Sequence, residues 1–373
     1  MSDDLSVSGF FEFFDGPAVE EVELEQPQQQ ALTPKEKQTL NHMFTHCEHK
    51  YLMLPLRCTW KEKVLAVLHV VRRREFTQFD PKIGHNVLTR FCDYNIAYFD
   101  LDKESQVVHE TLFRDVRGRQ LDTSVSIISI KVAESDVRYP ISIYGTVLAR
   151  DQNDYRCVYL FKRGRDDPQL ITRKNRMLAL TGPYRALGDD LDYMYFEFDL
   201  KIKGEGEIDE DFSKGLVVRC AYRNTPGIPS TYSLESYLST VDIVYVRVRH
   251  ALEASIRVNF FNGKATFTGK IFASTSASST SKMALYDSQV AGTKTEFGSG
   301  GSVSLSRHVV AVPRGEDLLL YFCARDSYNK SRRLKFVIGN GVDERVCDLG
   351  TYKLQLKIIW KCVFRHQRRH GLW

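Results

Sequence analysis

From Leu121 to Trp360 the chain runs in short stretches of Val, Ile, Tyr and Phe broken by Gly, Asp and Asn, and this texture constrains the fold more than any other feature. Stretches of that length and composition suit half-buried pleated strands, and the residues between them suit turns. Ser124 to Val132 and Tyr193 to Ile202 alternate apolar and polar side chains, the period of two that lays one face of a strand on a core. Gly204 to Asp211, acidic and glycine-bearing, and Asn224 to Ser230, with two prolines, read as surface loops. Gly145 to Ala149 and Val158 to Phe161 flank the turn-like Gln152 to Asp154 and are expected to pair as a hairpin. That pairing puts Arg150 and Asp151 at one end and the Lys162 to Asp167 turn at the other.

A faint internal similarity runs through the same region. Val125, Ile127, Ile130 and Val132 match Val241, Ile243, Val246 and Val248 at an offset of 116. Gly145, Val147 and Ala149 match Gly269, Ile271 and Ala273 at 124. Leu160, Phe161, Leu180, Ala186 and Phe196 match Leu285, Tyr286, Leu305, Ala311 and Tyr321 at 125. Chance likeness of two β-rich stretches and duplication of a domain-sized unit both account for this. An insertion near Asn262 to Lys264 explains the change of offset, and a unit of about 120 residues means two tandem domains rather than a solenoid.

The N-terminal third is different. Residues 1–30 carry eight acidic and no basic side chains, so with a total of +5 the remainder holds +13. Asp15 to Gln30, made largely of Glu, Gln, Pro and Val, buries too little apolar surface to offset its ordering entropy and reads as a disordered arm. Thr33, Pro34 and Glu36 supply a cap, a first-turn proline and a capping-box acceptor. Leu40, Met43, Phe44 and Cys47 then form one helical stripe. Trp60 to Val71 fits helix or strand, with Arg72 to Arg74 closing it.

The remaining features bound the class of protein. At 373 residues and 43% hydrophobic the chain is long enough for two or three folded domains. No apolar stretch approaches the ~18–20 residues of a membrane-spanning helix. The start, Met1 to Asp4, lacks the basic and apolar regions of a secretory signal, so an intracellular protein, cytoplasmic or nuclear, is expected. Eight scattered cysteines without a CxxC pair are expected to be reduced and mostly buried.

Candidate chemistry is sparse. Glu253 and Arg257 stand four apart in an alternating segment, where they are same-face strand neighbours and read as structural charges. His42, His46 and His49 recur at helical spacing but read as a solvated face. Cys362, His366 and His370 have no second ligand pair and read as part of a basic tail. Gly298 to Gly301 lacks the Lys and Ser/Thr of a phosphate loop and reads as a hairpin. Arg173, Lys174 and Arg176, then Arg332, Arg333 and Lys335, then Arg365, Arg368 and Arg369, have the charge to meet phosphates but read as solvated loops. A hydrolase would need paired carboxylates, for which Asp151, Asp166, Asp167 and Asp287 are the candidates.

Six blocks in order resemble a known family: Tyr139 to Ile171, LTGPYRAL at 180 to 187, FDLKIKG at 198 to 204, Leu234 to Ile256, SVSLSRHVVAV at 302 to 312 and LGTYKLQLKIIW at 349 to 360. They look like the grass-enriched family catalogued as domain of unknown function 6598, over about residues 123 to 360. The resemblance implies no established activity. Some similar plant proteins carry the domain downstream of a ribosome-inactivating domain; the 122 residues preceding it here are too few for one, so that activity is expected to be absent.

The sequence therefore predicts a mainly β protein of two tandem antiparallel β-sandwich-like domains, with a small N-terminal helical region and a disordered acidic arm. The expected divisions are an arm at 1–32, a helical or mixed region at 33–120, β domains at 121–239 and 240–362, and a basic tail at 363–373. A non-enzymatic binding or scaffold role in a plant stress or defence setting is expected. The alternatives are a hydrolase, related to rRNA N-glycosidases or acting on glycans, and an RNA-binding accessory to translation. The expected contact surface is Lys162, Arg163, Arg165, Asp166 and Asp167, with Arg185 nearby. A protein partner is favoured over RNA, and no cofactor, metal or membrane contact is expected.

Overall fold

The computed structural model describes residues 59–364 except 93–98, 113–119, 190–192, 205, 207, 221–224, 263–265, 326–330 and 349–352. The acidic arm, the helix expected from Thr33, the histidines His42, His46 and His49, and the tail beyond Phe364 lie outside the described residues. The chain divides into two compact units, residues 1–78 with 92–101 and 367–373, and residues 79–91 with 102–366.

In the first unit the ambiguous segment is a helix, α1 (Trp60–Glu75). Leu65, Ala66, His69 and Val70 are buried and recur at helical spacing, which settles the choice. Arg72, Arg73 and Arg74 occupy its last turn, where cations meet the negative end of the helix dipole. Arg72 also donates to the carbonyl of Phe99 at 3.4 Å.

The strands follow in order. β1 (Thr77–Asp80) and β2 (His85–Leu88) form a two-stranded ribbon, and β3 (Glu110–Thr111) is a short edge piece. Then come β4 (Ser124–Ser135), β5 (Ile141–Arg150), β6 (Val158–Arg163), β7 (Gln169–Ile171), β8 (Leu187–Gly188), β9 (Tyr193–Ile202), β10 (Glu210–Cys220), β11 (Pro229–Ser236) and β12 (Ser239–Val248). These nine make one sandwich, with sheets ordered β10-β9-β5-β6 (plus β7 on β5) and β11-β12-β4-β8. Ile127, Ile130, Val147, Phe161, Phe196, Phe198 and Ile243 fill its core.

A second sandwich contains β13 (Ala251–Asn262), β14 (Gly269–Thr275), β15 (Ser278–Asp287), β16 (Val309–Pro313), β17 (Leu318–Arg325), β18 (Ser331–Ile338), β19 (Glu344–Asp348) and β20 (Lys353–Cys362). Its sheets are ordered β16-β13-β20-β19 (plus β3 on β20) and β15-β14-β17-β18. Ile256, Val258, Ile271, Leu320, Phe322 and Trp360 lie in its core. The chain is thus mainly β, in two antiparallel β-sandwich-like domains.

The two sandwiches share one strand order: β10-β9-β5-β6 corresponds to β18-β17-β14-β15, and β8-β4-β12-β11 to β16-β13-β20-β19. Register agrees at an offset of 124, so the counterpart of Tyr321 is Glu197 and not Phe196 as the sequence match at 125 implies. Val147 lies opposite Phe198 as Ile271 lies opposite Phe322, each pair separated by 124. Gly145 and Gly269 match for a steric reason. A Cβ at Gly145 would stand 2.1 Å from the carbonyl oxygen of Asp199, and one at Gly269 2.3 Å from that of Cys323. The offset of 116 has another meaning, because β4 and β12 are hydrogen-bonded neighbours in one sheet, not counterparts in two.

Two expected boundaries shift accordingly. β12 completes the first sandwich, so the sheets divide at the Arg249–His250 turn and not at residue 240. Val241, Ile243 and Tyr245 bury into the first core, and nothing in their composition distinguishes them from strands of the second. Val363 and Phe364, expected in the tail, are buried; Leu121 bridges Phe364, and Asp122 donates to the Val363 carbonyl at 2.7 Å.

Candidate functional site

The β5–β6 hairpin forms with Gly145 opposite Arg163 and Ala149 opposite Val158, so the two charged groups lie at opposite ends as the sequence implies. At the turn end the chain leaves β6 and reverses through Gly164, whose carbonyl accepts from Asp167 N at 3.1 Å. Lys162 is exposed, with its ammonium 4.1 Å from the Tyr159 ring centre and 3.7 Å from Glu104. The Arg163 guanidinium is largely covered. It donates to Asp167 and to the Ala291 carbonyl of the second sandwich, both at 3.1 Å. Arg165 donates to Asp209 at 2.8 Å and to the carbonyl of Gly206, and Tyr144 donates to the same carboxylate at 2.6 Å. Those two hydrogen bonds hold the Asp209 carboxyl well below the usual range. Burial, followed by the bond to Asp209, pushes the Tyr144 phenol up to about 12. Asp166 and Asp167 are exposed.

Arg185 does not join this turn. It lies at the opposite end of the hairpin, 3% exposed, and grips Asp151 in a two-pronged pair at 2.6 and 2.9 Å. Its other donors reach Ser105 Oγ at 2.9 and 3.1 Å and the Ala186 carbonyl at 3.0 Å, and the Gly188 amide donates to Asp151 at 2.7 Å. Burial alone would raise the Asp151 carboxyl, yet the Arg185 charge and these hydrogen bonds hold it below its ordinary value. The expectation of an exposed Arg185 failed because an arginine beside a tyrosine in LTGPYRAL carries no local mark of the carboxylate that will bury it.

Three more buried carboxylates, Glu197, Asp189 and Glu253, are likewise answered by donors. Arg150 donates to Glu197 at 2.6 and 3.0 Å, and the Phe91 amide donates to the same carboxylate at 2.8 Å. Asp189 accepts from both Arg219 and Arg247, the latter at 2.7 Å. Glu253 accepts from the Ala186 amide at 2.8 Å, Lys361 at 2.9 Å and Ser255 at 3.0 Å, with His109 Nε2 at 3.9 Å. Burial would raise Glu253, but the Ala186 amide, His109 and Lys361 bring it below the ordinary value. Burial lowers His109, which sits against the Ala186 carbonyl at 3.0 Å.

Glu253 is therefore a fully buried structural charge on β13, while Arg257 is exposed. The four carboxylates weighed for hydrolysis occupy three settings: Asp151 in the buried pair, Asp166 and Asp167 at the turn, and Asp287 bound to Lys270 at 2.7 Å. Among the described residues, no group of three or more His, Cys, Asp or Glu is arranged to hold a metal. A groove of about 860 Å³ runs beside Arg314, Asn340, Lys357 and Trp360, and one of about 650 Å³ lies over the glycine-rich turn at 298–301. Neither contains a residue of the expected contact surface. Sequence reasoning placed Arg150 at one end of the hairpin without its partner and passed over Glu197, Asp189 and Arg219. The available signal was a charge inside an apolar strand, as with Glu197 between Phe196 and Phe198.

These features define a protein of two β-sandwiches with a buried layer of paired charges. By sequence the chain belongs to the family described as Domain of unknown function (DUF6598), whose model matches residues 124–358. No curated protein matches it. Among solved structures it is similar to human GIVD cytosolic phospholipase A2, at 10% identity and a TM-score of 0.23 over 65% of this chain and 31% of that one. The chain thus spans about a third of the length of that phospholipase. It is also similar to a structure of the paired C2 domains of Extended-Synaptotagmin 2, at 10% identity and a TM-score of 0.23 over 71% of this chain and 99% of that one. At these TM-scores neither likeness carries a functional argument. No described helix is long and apolar enough to cross a membrane.

Proposed function

We propose that this chain is a non-enzymatic scaffold that presents the Lys162–Asp167 turn to a protein partner. The observation that carries the reading is where the charges are used. Asp151, Asp189, Glu197 and Glu253 are all engaged by cations or amides inside the fold, where such pairs serve to hold one conformation. At the turn, Arg163 and Arg165 are anchored to Asp167 and Asp209, which leaves Lys162 and Asp166 exposed on a fixed frame. A frame set before binding reduces the ordering cost of association. The common strand order of the sandwiches supports an origin by duplication. A plant stress or defence setting rests on the family resemblance.

The test is crosslinking and affinity purification with wild type and a Lys162→Ala, Asp166→Ala double variant. Partner recovery is expected to fall by about tenfold, while stability stays within about 0.5 kcal/mol, the usual range for exposed sites. Recovery of every crosslinked partner at wild-type levels removes the turn from consideration.

A further inference from the structure

The sheet β15-β14-β17-β18 has one face on the core of the second sandwich and one turned away from it. Ile271, Ala273, Leu320 and Phe322 point into the core, so the intervening Phe272 and Tyr321 point outward, directly opposite one another on the two central strands. The flanking strands supply cations. Lys335 on β18 lies opposite Tyr321, and Arg333 lies opposite Cys323. From β15, the Lys282 ammonium lies 4.4 Å from the Tyr321 ring centre, with Lys335 at 5.9 Å. Lys282, Arg333 and Lys335 are exposed, and none forms an ion pair among the described residues; Lys270 on the same face is tied to Asp287.

The corresponding face of the first sandwich is closed. In matching register, Leu148 opposite Glu197 replaces Phe272 opposite Tyr321. There Phe91 packs edge-on to Tyr195 at 4.7 Å, and its amide binds Glu197. Leu148, Arg150, Tyr195 and Glu197 are all buried, whereas Phe272 and Tyr321 keep partial exposure.

Two rings at facing positions on the central strands, bordered by cations that have no carboxylate partner among the described residues, fit a ligand with both flat π-surfaces and closely spaced negative charges. Four strands span about 14 Å, enough for two or three nucleotides. Stacking on such rings is tolerant of sequence, while the cations neutralise phosphates. A lipid headgroup or an acidic peptide would use the cations and leave the ring pair without a partner of its own kind. We propose that this face binds single-stranded nucleic acid, with bases on Phe272 and Tyr321 and phosphates on Lys282, Arg333 and Lys335. The surface is distinct from the Lys162–Asp167 turn, so this binding stands or falls independently of a protein partner there.

Fluorescence anisotropy with labelled single-stranded RNA and DNA of about 12 nucleotides tests it, read between about 50 and 200 mM salt. Affinity is expected to fall with salt with a logarithmic slope near about −2, from three phosphates at about −0.7 each. A Lys282→Ala, Lys335→Ala double variant reduces that slope by about 1.4. Tyr321→Leu weakens binding by about tenfold at unchanged slope, and Tyr321→Phe restores it, because stacking needs the ring and not the hydroxyl. Should Tyr321→Leu lower the melting temperature, the exposed Arg333→Glu serves in its place and must weaken binding by at least tenfold. Three results each overturn the proposal: no binding at the lowest salt, wild-type affinity in the double variant, or equal affinity for duplex, phosphatidylserine vesicles or polyglutamate. Preference for RNA over DNA, or the reverse, identifies the sugar that is read.

Discussion

The two sandwiches are built on one strand order and treat buried arginine differently. In the first, Arg150 faces Glu197, Arg185 faces Asp151, and Arg219 and Arg247 share Asp189. In the second, Arg307 is buried and, among the described residues, no carboxylate pairs with it; its Nε and Nη1 have no hydrogen-bond partner there, and Nη2 reaches the Met283 sulfur at 3.7 Å. Burial alone pulls its guanidinium down to about 10. Arg307 stands where the first sandwich has Gly182, since the amides of both turn onto matching carbonyls, Leu285 and Leu160. One scaffold therefore tolerates buried arginine in two ways, and the difference teaches that strand order fixes neither where a charge is buried nor whether it is answered.

The largest expected effect breaks the answered case. Glu197→Ala strands Arg150 in the interior, and denaturant unfolding should register a loss of about 3–5 kcal/mol. Little change would mean that water enters to replace the carboxylate. A smaller effect of opposite sign is expected from the unanswered case, because Arg307→Met keeps much of the volume and removes a desolvated charge. It should stabilise the protein by about 1–2 kcal/mol, and a clear destabilisation would place an acceptor beside Arg307 in solution.

The layer between these extremes should respond to acid. Burial lowers both His109 and His308, so below the free histidine value of 6.5 the unfolded chain binds protons that the fold resists. Stability is then present above pH 6.5 and lost as pH falls below it. His109→Gln should flatten the melting temperature between about pH 7 and 5 relative to wild type; an unchanged profile would assign the dependence to other groups. Smallest of all, Lys335→Ala on the open face should alter stability by less than about 0.5 kcal/mol, since the side chain is exposed and has no ion-pair partner among the described residues. A larger loss would show that the face is covered in solution.

Much of the architecture was legible because strand texture is local. The alternation in Tyr193 to Ile202 places Met194, Phe196, Phe198 and Leu200 in the core, and the short apolar runs flanking Gln152 to Asp154 pair as a hairpin with its charged groups at opposite ends. Trp60 to Val71 stayed open because its apolar residues fit both periods, and packing of Leu65, Ala66 and Val70 on one side decided for helix. The chain reversal that carries the expected contact residues was legible, and the place of Arg185 was not. Lys162 and Arg163 end β6 and the chain reverses through Gly164 to Asp167, but Arg185 belongs to Asp151, 34 residues away.

By itself the sequence determined the β class, the glycines at 145 and 269 where two backbones meet, and the hairpin that separates two charged groups. Tertiary structure alone decided that β12 closes the first sandwich, that Arg185 is buried, and that the face around Tyr321 stays open while its counterpart around Glu197 is sealed by Phe91. The physical reason is range. A period of two is written within one strand, whereas sheet membership and the partner of a buried charge are set by residues tens of positions away, whose approach no local pattern records.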